Sequence, residues 1–211
     1  MTPSMYLDVF DRNPYGENCW LVAAEGSDEA VAIDPGFDPE AVQALLDAAG
    51  KRGAAVLLTH AHLDHAQTAG TFAGATPVYV HPEDAPAFRD YSAWGGSTDV
   101  TLDPVADLRT FVDGDVLRLA GLEIEVLHTP GHTPGSSCFR IDGEALVFSG
   151  DLVFAGTIGR SDFANSDPAA MRASLIRFLT LPDDRRVLPG HGPETTVGRE
   201  RISNPYLKEV G

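Results

Sequence analysis

Four potential metal ligands, His60, His62, Asp64 and His65, fall within six residues, directly after the apolar run Ala54–Leu58. No other feature of the chain constrains its fold as much. A short apolar run bounded by polar loops reads as a buried strand, so the cluster sits where a strand leaves the edge of a sheet. A lone histidine is more often a satisfied core or surface residue than a ligand. Three histidines and an aspartate this close reverse that preference, because neutral imidazole and carboxylate are the donors that borderline divalent metals take. Alternate placement of His60 and His62 aims both at one ion, and a bend into a following helix turns Asp64 and His65 toward a second.

Three later segments repeat the pattern of a strand end delivering a ligand into a glycine-rich loop. His132 lies in Thr129-Pro-Gly-His-Thr-Pro-Gly135, Asp151 follows Ser149-Gly150, and His191 lies in Pro189-Gly-His-Gly192. Each alone reads as a polar loop residue. Together with the first cluster they make seven candidate ligands, enough for two ions with one shared carboxylate. A two-metal hydrolytic site needs that set, with ions about 3.5–4 Å apart sharing one water.

The rest of the pattern supplies a scaffold. Strands are predicted at Tyr6–Phe10, Asn18–Ala24, Ala30–Ile33, Ala54–Leu58 and Pro77–Val80, with a helix over Pro39–Ala49 closed by Gly50. Another helix begins near Asp64 and continues over Gln67–Ala73, and residues 82–104 read as short helix plus loop. Strands follow at Val116–Leu119, Leu122–Leu127, Ser137–Ile141 and Ala145–Ser149, then a helix over Pro168–Leu179 and a strand at Arg186–Leu188. Strand blocks with covering helices, occurring twice, predict two sheets faced by helices in one domain over residues 1–211.

Composition excludes several partners. The net charge of −16, with 15 Lys and Arg scattered through the chain, argues against nucleic acid. No apolar run approaches the ~20 residues of a membrane helix, and the N-terminus lacks a signal-peptide pattern. Cys19 and Cys138, each among apolar neighbours, read as buried inert thiols. These features predict a soluble, cytoplasmic protein; oligomeric state is left open. Arg140, Arg199, Arg201 and Lys208 read as solvated surface charges. His81 reads as a surface or loop histidine, and His128 either as a loop residue or as an orienting partner of a ligand.

His60-Ala-His-Leu-Asp-His65, with His132, Asp151 and His191 in that order, resembles the metallo-β-lactamase superfamily, whose signature is HxHxDH followed by His, Asp and His. The resemblance covers Asn18 to about Asn204. It implies a four-layer αβ/βα sandwich, with His60, His62 and His132 on one metal, Asp64, His65 and His191 on the other, and Asp151 bridging. Two divalent ions are implied, zinc foremost, with iron or manganese as alternatives.

Thr129–Ser136, Ser149–Gly156, Gly159-Arg-Ser-Asp-Phe163 and His191–Gly198 further resemble the compact bacterial branch of the glyoxalase II group. That resemblance implies a small-molecule thioester substrate of the S-lactoylglutathione type, cleaved by a metal-bridging hydroxide that Asp64 and Asp151 orient. A leaving thiol of pKa near ~8.5 departs without a strong general acid. The glyoxalase II enzyme carries an added C-terminal helical domain that contacts glutathione. Here the sequence ends 20 residues past His191, so thioester cleavage is better supported than glutathione as the carrier. Arg160 is the candidate for a substrate carboxylate, with an ion pair to Asp162 as its alternative.

Iron-dependent persulfide dioxygenases share the fold and would use His60, His132 and Asp151 as a triad. The His191-Gly-Pro-Glu-Thr-Thr segment departs from their pattern. Antibiotic-cleaving β-lactamases often place Cys where Asp151 stands, and the nuclease branch needs inserted RNA-binding parts. A non-catalytic metal-binding module is the alternative from another class, and the full ligand set argues against it.

Overall fold

Alternation along the strands decides which way each face points. In the segment Leu146-Val-Phe148, Leu146 and Phe148 belong to one buried cluster and Val147 to another, as a side-chain period of two requires. The computed structural model describes residues 5–211, apart from the side chain of Asp142, and builds these faces into layers.

The first sheet holds, in spatial order, β1 (Met5–Phe10), β2 (Cys19–Ala24), β3 (Glu29–Ile33), β4 (Arg52–Leu57), β5 (Val78–Val80) and β6 (Leu108–Thr110). Its first three strands pair antiparallel, and β3 to β6 run parallel. Parallel neighbours need crossovers. α1 (Pro39–Ala48) supplies one, and α2 (Leu63–Ala66) with α3 (Ala69–Ala73) supplies the next. Pro39 opens α1 and Asp38 caps it by accepting from the Ala41 N–H, which stabilises a helix start by about 1 kcal/mol.

The second sheet follows the same scheme. β7 (Val116–Leu119), β8 (Leu122–His128), β9 (Ser137–Ile141) and β10 (Leu146–Gly150) form an antiparallel meander. After the small hairpin of β11 (Val153–Phe154) and β12 (Thr157–Ile158), β13 (Arg186–Pro189) pairs parallel with β10, and β14 (Thr195–Thr196) closes the edge.

Phe139, Phe148, Ile124 and Leu188 from this sheet share one buried core with Trp20, Val22, Ile33 and Leu57, which lie on one face of the first, and the Trp20 and Phe148 rings are 6.2 Å apart. Outside it, Val147, Val187 and Cys138 pack on Met171, Leu175 and Phe178. Those last three lie on α5, Pro168–Phe178. α1 and α3 pack against the outer face of the first sheet at β4. The result is the expected αβ/βα sandwich. Each fully buried Leu, Ile or Phe contributes about 2 kcal/mol, so apolar packing, rather than the ligand cluster, holds the sheets together.

The structure departs from the predicted elements where packing overrides pattern. The helix expected from Asp64 to Ala73 is broken: α2 ends at Ala66 and α3 starts at Ala69, while Thr68 Oγ1 donates to the Gly36 carbonyl between them. β6 and β14 are too short to show alternation. Two C-terminal helices, α6 (Val197–Ser203) and α7 (Pro205–Lys208), were not predicted; Asn204, buried between them, caps α7. Residues 82–104 contain a short 3-10 turn at Ala85–Phe88 and a helical turn at Tyr91–Trp94. Among the described residues no helix is long and apolar enough to cross a membrane.

Two surface-charge expectations are also corrected. Arg140 pairs with Glu125, and Arg201 donates to Asp183 at 2.8 Å. Cys19 and Cys138 are buried and not bridged. Burial holds the Cys19 thiol well above its ordinary range and pushes the Cys138 thiol up to about 11, so both are inert.

Candidate metal centre

β4 ends at Leu57, and the chain bends at Thr59 before entering α2 at Leu63. Both sheets deliver their ligands to this edge. His60, His62, Asp64 and His65 come from the loop after β4, His132 from the loop between β8 and β9, Asp151 from the residue after β10, and His191 from just beyond β13.

The seven side chains converge as two groups. His60, His62 and His132 place ring nitrogens within 4.8 Å of one another, and the Asp64 carboxylate lies within the same distance of ring nitrogens of His65 and His191, which are as close to each other. His62 Nδ1 lies 2.8 Å from His132 Nε2, and His65 Nε2 lies 3.3 Å from His191 Nε2. Donors held tetrahedrally at zinc distances are about 3.3 Å apart. Asp151 lies between the groups: Oδ1 is 3.4 Å from His65 Nε2, and Oδ2 is 3.4 Å from His132 Nε2 and 3.7 Å from His191 Nε2. Asp64 Oδ2 is 3.2 Å from His191 Nε2.

The polar bookkeeping fits cations at this place. His60 Nε2 and Asp151 Oδ1 are buried without a hydrogen-bond partner. Leaving such atoms unpaired is costly in a dry interior, and an ion between them removes the cost. Donor chemistry agrees, since imidazoles and carboxylates make up the whole set.

Buried partners fix which nitrogen faces the cleft. Asp34 Oδ2 accepts from Thr59 Oγ1 at 2.6 Å and from His65 Nδ1 at 3.0 Å, and Thr59 Oγ1 is 3.0 Å from His60 Nδ1. With its proton committed to Asp34, the Thr59 hydroxyl accepts from His60. His60 therefore presents Nε2 as a lone pair, and the Asp34 bond turns His65 Nε2 toward the cleft. The Arg160 carbonyl accepts from His132 Nδ1 at 2.7 Å and sets that ring the same way. Such outer partners orient the rings of metal-binding histidines. A third cluster, Asp34 with His60 and His65, is not an ion site of its own, because both oxygens of Asp34 already hold hydrogen bonds, Oδ1 accepting from the Thr59 N–H at 2.8 Å.

Charge follows burial and neighbours. Burial, then the surrounding imidazoles, holds His60 well below the usual histidine range and pushes His62 down to about 3. Burial also lowers His132, although Asp151 and the Arg160 carbonyl oppose it. For His65 burial acts downward, but Asp151, Asp64 and Asp34 outweigh it and raise its pKa. Burial would raise Asp64, yet His65 and His191 hold it ionised, below its ordinary value. The first group is thus ready as neutral imidazoles, the second as imidazoles facing carboxylate.

Several supporting residues had no sequence signal of their own. Asp34 follows β3 in an Asp-Pro-Gly segment; it is buried with a left-handed backbone, φ +53°, an uncommon conformation outside glycine. The signal it shared with Asp151 was an aspartate at the end of an apolar strand. Asp84 spans the two ligand loops: it accepts from the Ala61 N–H at 3.0 Å, Thr133 Oγ1 at 2.8 Å and the Gly135 N–H at 2.8 Å. Asn18 Nδ2 and Trp20 Nε1 each donate to the Pro189 carbonyl at 3.0 Å, tying the His191 loop to β2.

Two histidine expectations change. His81 is not on the surface: it is 7% exposed and stacks on His128 at 3.9 Å. His128 Nε2 lies 2.9 Å from the Pro134 carbonyl, so its ring meets this carbonyl and His81 rather than a ligand ring. The Arg160 side chain lies at the cleft but is bound by Asp162 through two hydrogen bonds of 2.8 and 3.0 Å and covers the Phe163 ring at 4.5 Å.

Above the seven residues opens a cleft of about 430 Å³ walled by Tyr91, Phe154, Ile158 and Phe163, with Arg160 at its side. An αβ/βα sandwich with two ligand groups at one edge, sharing a carboxylate, defines a class of metal-binding protein. The chain belongs to the metallo-beta-lactamase superfamily, whose description it matches over residues 12–191. It is 32% identical to a Haemophilus influenzae protein named hydroxyacylglutathione hydrolase GloC, over 96% of this chain and 98% of that one. Its fold superposes on the crystal structure of TTHA1623 in a di-iron-bound form with TM-score 0.81 and 42% identity, covering 94% and 99% of the two chains. For the BLEG-1 B3 metallo-beta-lactamase the values are 0.84 and 34%, covering 96% and 99%.

Proposed function

We propose that this protein is a dinuclear metal-dependent hydrolase of thioesters, of the hydroxyacylglutathione type. The carrying observation is the Asp151 carboxylate set between two three-residue ligand groups at the floor of a cleft. In this reading His60, His62 and His132 hold one divalent ion, Asp64, His65 and His191 the other, and Asp151 both. Such ions lower the pKa of a bound water toward neutrality and polarise a carbonyl.

The chain's own residues do the positioning. Asp64 Oδ2 and Asp151 Oδ2 lie 3.2 and 3.7 Å from the same His191 nitrogen, so two acceptors converge where an attacking water is held. Phe154, Ile158 and Phe163 exclude bulk water from the acyl group, which strengthens every charge interaction at the floor. The leaving thiol needs no general acid, because its pKa is near ~8.5. Arg160 meets a carrier carboxylate only by sharing its guanidinium with Asp162, and an exposed, already paired cation adds little affinity. The likeness to GloC over nearly both whole chains supports the thioester class.

A second reading, iron-dependent dioxygenase chemistry on a persulfide through His60, His132 and Asp151, draws support from the likeness of the fold to the crystal structure of ETHE1 from Myxococcus xanthus, with TM-score 0.79 and 26% identity. A paired assay separates the two: S-lactoylglutathione hydrolysis against oxygen uptake with glutathione persulfide, with a β-lactam as third substrate. We expect thioester hydrolysis, no oxygen uptake and two divalent ions per chain by elemental analysis. Oxygen uptake with a single bound iron would overturn the hydrolase reading.

A further inference from the structure

Tyr91 has a place in the cleft that the ligand scheme does not use. The residue is 6% exposed, and its hydroxyl oxygen accepts the backbone N–H of Leu63 at 3.0 Å. Leu63 stands between His62 and Asp64, so the hydroxyl is anchored on the turn that carries one ligand of each group. Its own proton has no acceptor among the described residues. The side chain nevertheless lines the same cleft as His62, Asp64, His132 and Asp151.

The ring cannot swing away. The backbone of Gly96 lies so close to it that any Cβ there would overlap Cδ1 and Cε1, and Trp94 stacks on it at 5.7 Å. A phenol stays protonated at neutral pH and can donate as well as accept. A fixed donor with nothing to give its proton to is the arrangement that a bound acceptor completes. The acyl group is the part of a thioester that must descend to the ligand groups, and Tyr91 Oη is fixed at that depth by its bond to Leu63.

We propose that Tyr91 is a catalytic residue that touches the substrate, its Oη–H donating a hydrogen bond to an oxygen of the acyl group. The proposal rests on the thioester reading. No proton is transferred: the phenol remains intact, and the bond strengthens if charge grows on the oxygen it meets. Leu63 N–H, by occupying an Oη lone pair, directs the proton away from the turn and into the cleft.

The test is Tyr91→Phe in the metal-loaded protein, which keeps the ring and its packing. Turnover is measured with S-lactoylglutathione and with S-propionylglutathione, which has the same carbon skeleton without the hydroxyl. Bound metal, the thermal midpoint and calorimetric affinity for a non-cleavable ketone analogue, with methylene in place of the thioester sulfur, are measured alongside. We expect kcat/KM for the lactoyl substrate to fall roughly 10- to 100-fold and the lactoyl ketone to bind about tenfold more weakly, with metal content unchanged. An equal loss on the propionyl substrate places the bond on the carbonyl oxygen, and a loss confined to the lactoyl substrate places it on the hydroxyl; both support the proposal. Unchanged turnover and analogue affinity overturn it, as does a loss that merely tracks loss of metal, which would make Tyr91 a brace for the Leu63 turn. Wild-type protein that cleaves neither thioester overturns the thioester reading and this proposal with it. That outcome is distinct from a variant matching an active wild type.

Discussion

Asp151 faces His65 with one oxygen and both His132 and His191 with the other, at 3.4, 3.4 and 3.7 Å. Removing it takes an anion from both ligand groups at once. Substitution of a partner that only orients a ligand costs metal proteins roughly 10- to 100-fold. Asp151→Ala should exceed that, lowering turnover below detection and loosening both ions. Wild-type metal content by elemental analysis, or wild-type activity, would remove Asp151 from the bridging position. At this scale the seven candidate ligands were legible because type, number and placement after apolar strands are all written in one dimension. Asp34 and Asp84 were not, because each acts through contacts with loops far along the chain: Asp34 through Thr59 and His65, Asp84 through Ala61, Thr133 and Gly135. A lone aspartate at a strand end carries no mark of which distant amide it will meet.

The strands and turns place these residues with little slack. β10 and β13 run parallel, and just past the end of β13 the Gly190 N–H donates to the carbonyl of Gly150, the last residue of β10. A Cβ on Gly190 would collide with Asp151 Oδ1 and His65 Cε1. Gly190→Ala should therefore push the shared carboxylate off its position. We expect at least about a tenfold drop in metal affinity with circular dichroism unchanged, measured by competition with a chromophoric chelator. Wild-type affinity would show that this close approach is not needed. Long elements such as α1 and α5 were readable from period, proline and cap. β6, β11, β12 and β14 have two or three residues each, too few to show a period, and exist because a neighbouring strand offers its edge. α6 was hidden for another reason: its Glu200 is buried, accepting from the Gly156 N–H and Thr195 Oγ1, so a charged residue faces inward where pattern reading expects an apolar one.

Across the whole molecule, His81 at the end of the first sheet and His128 in the second stack face to face. Burial, then the neighbouring His128, pushes His81 down to about 4, against the pull of Asp113. An unfolded histidine titrates near ~6.5, so between pH 6.5 and 4 the unfolded chain binds the extra proton. Stability from this stack is full above that window, falls as pH drops through it, and is constant below it. With metal removed by chelator, the thermal midpoint should fall by a few degrees across the window. His81→Phe should show a shallower slope than wild type, by calorimetry at matched ionic strength. Identical slopes would place the acid sensitivity elsewhere. The layered architecture itself was legible, because two rounds of strands with covering helices admit few arrangements; the imidazole pair joining the sheets was not, since 46 residues separate its partners along the chain.

The order in which the ligands occur has a consequence for how the protein is made. The four-residue cluster leaves the ribosome early, His132 and Asp151 follow, and His191 arrives only with β13. A nascent chain can gather all three members of the first group well before the second has its third. Synthesis thus imposes a sequence on assembly: one histidine triad is available for capture while the other half is still being translated. A chain arrested before β13 would carry an unfinished centre, and the second group would be complete only once His191, just beyond β13, has been added.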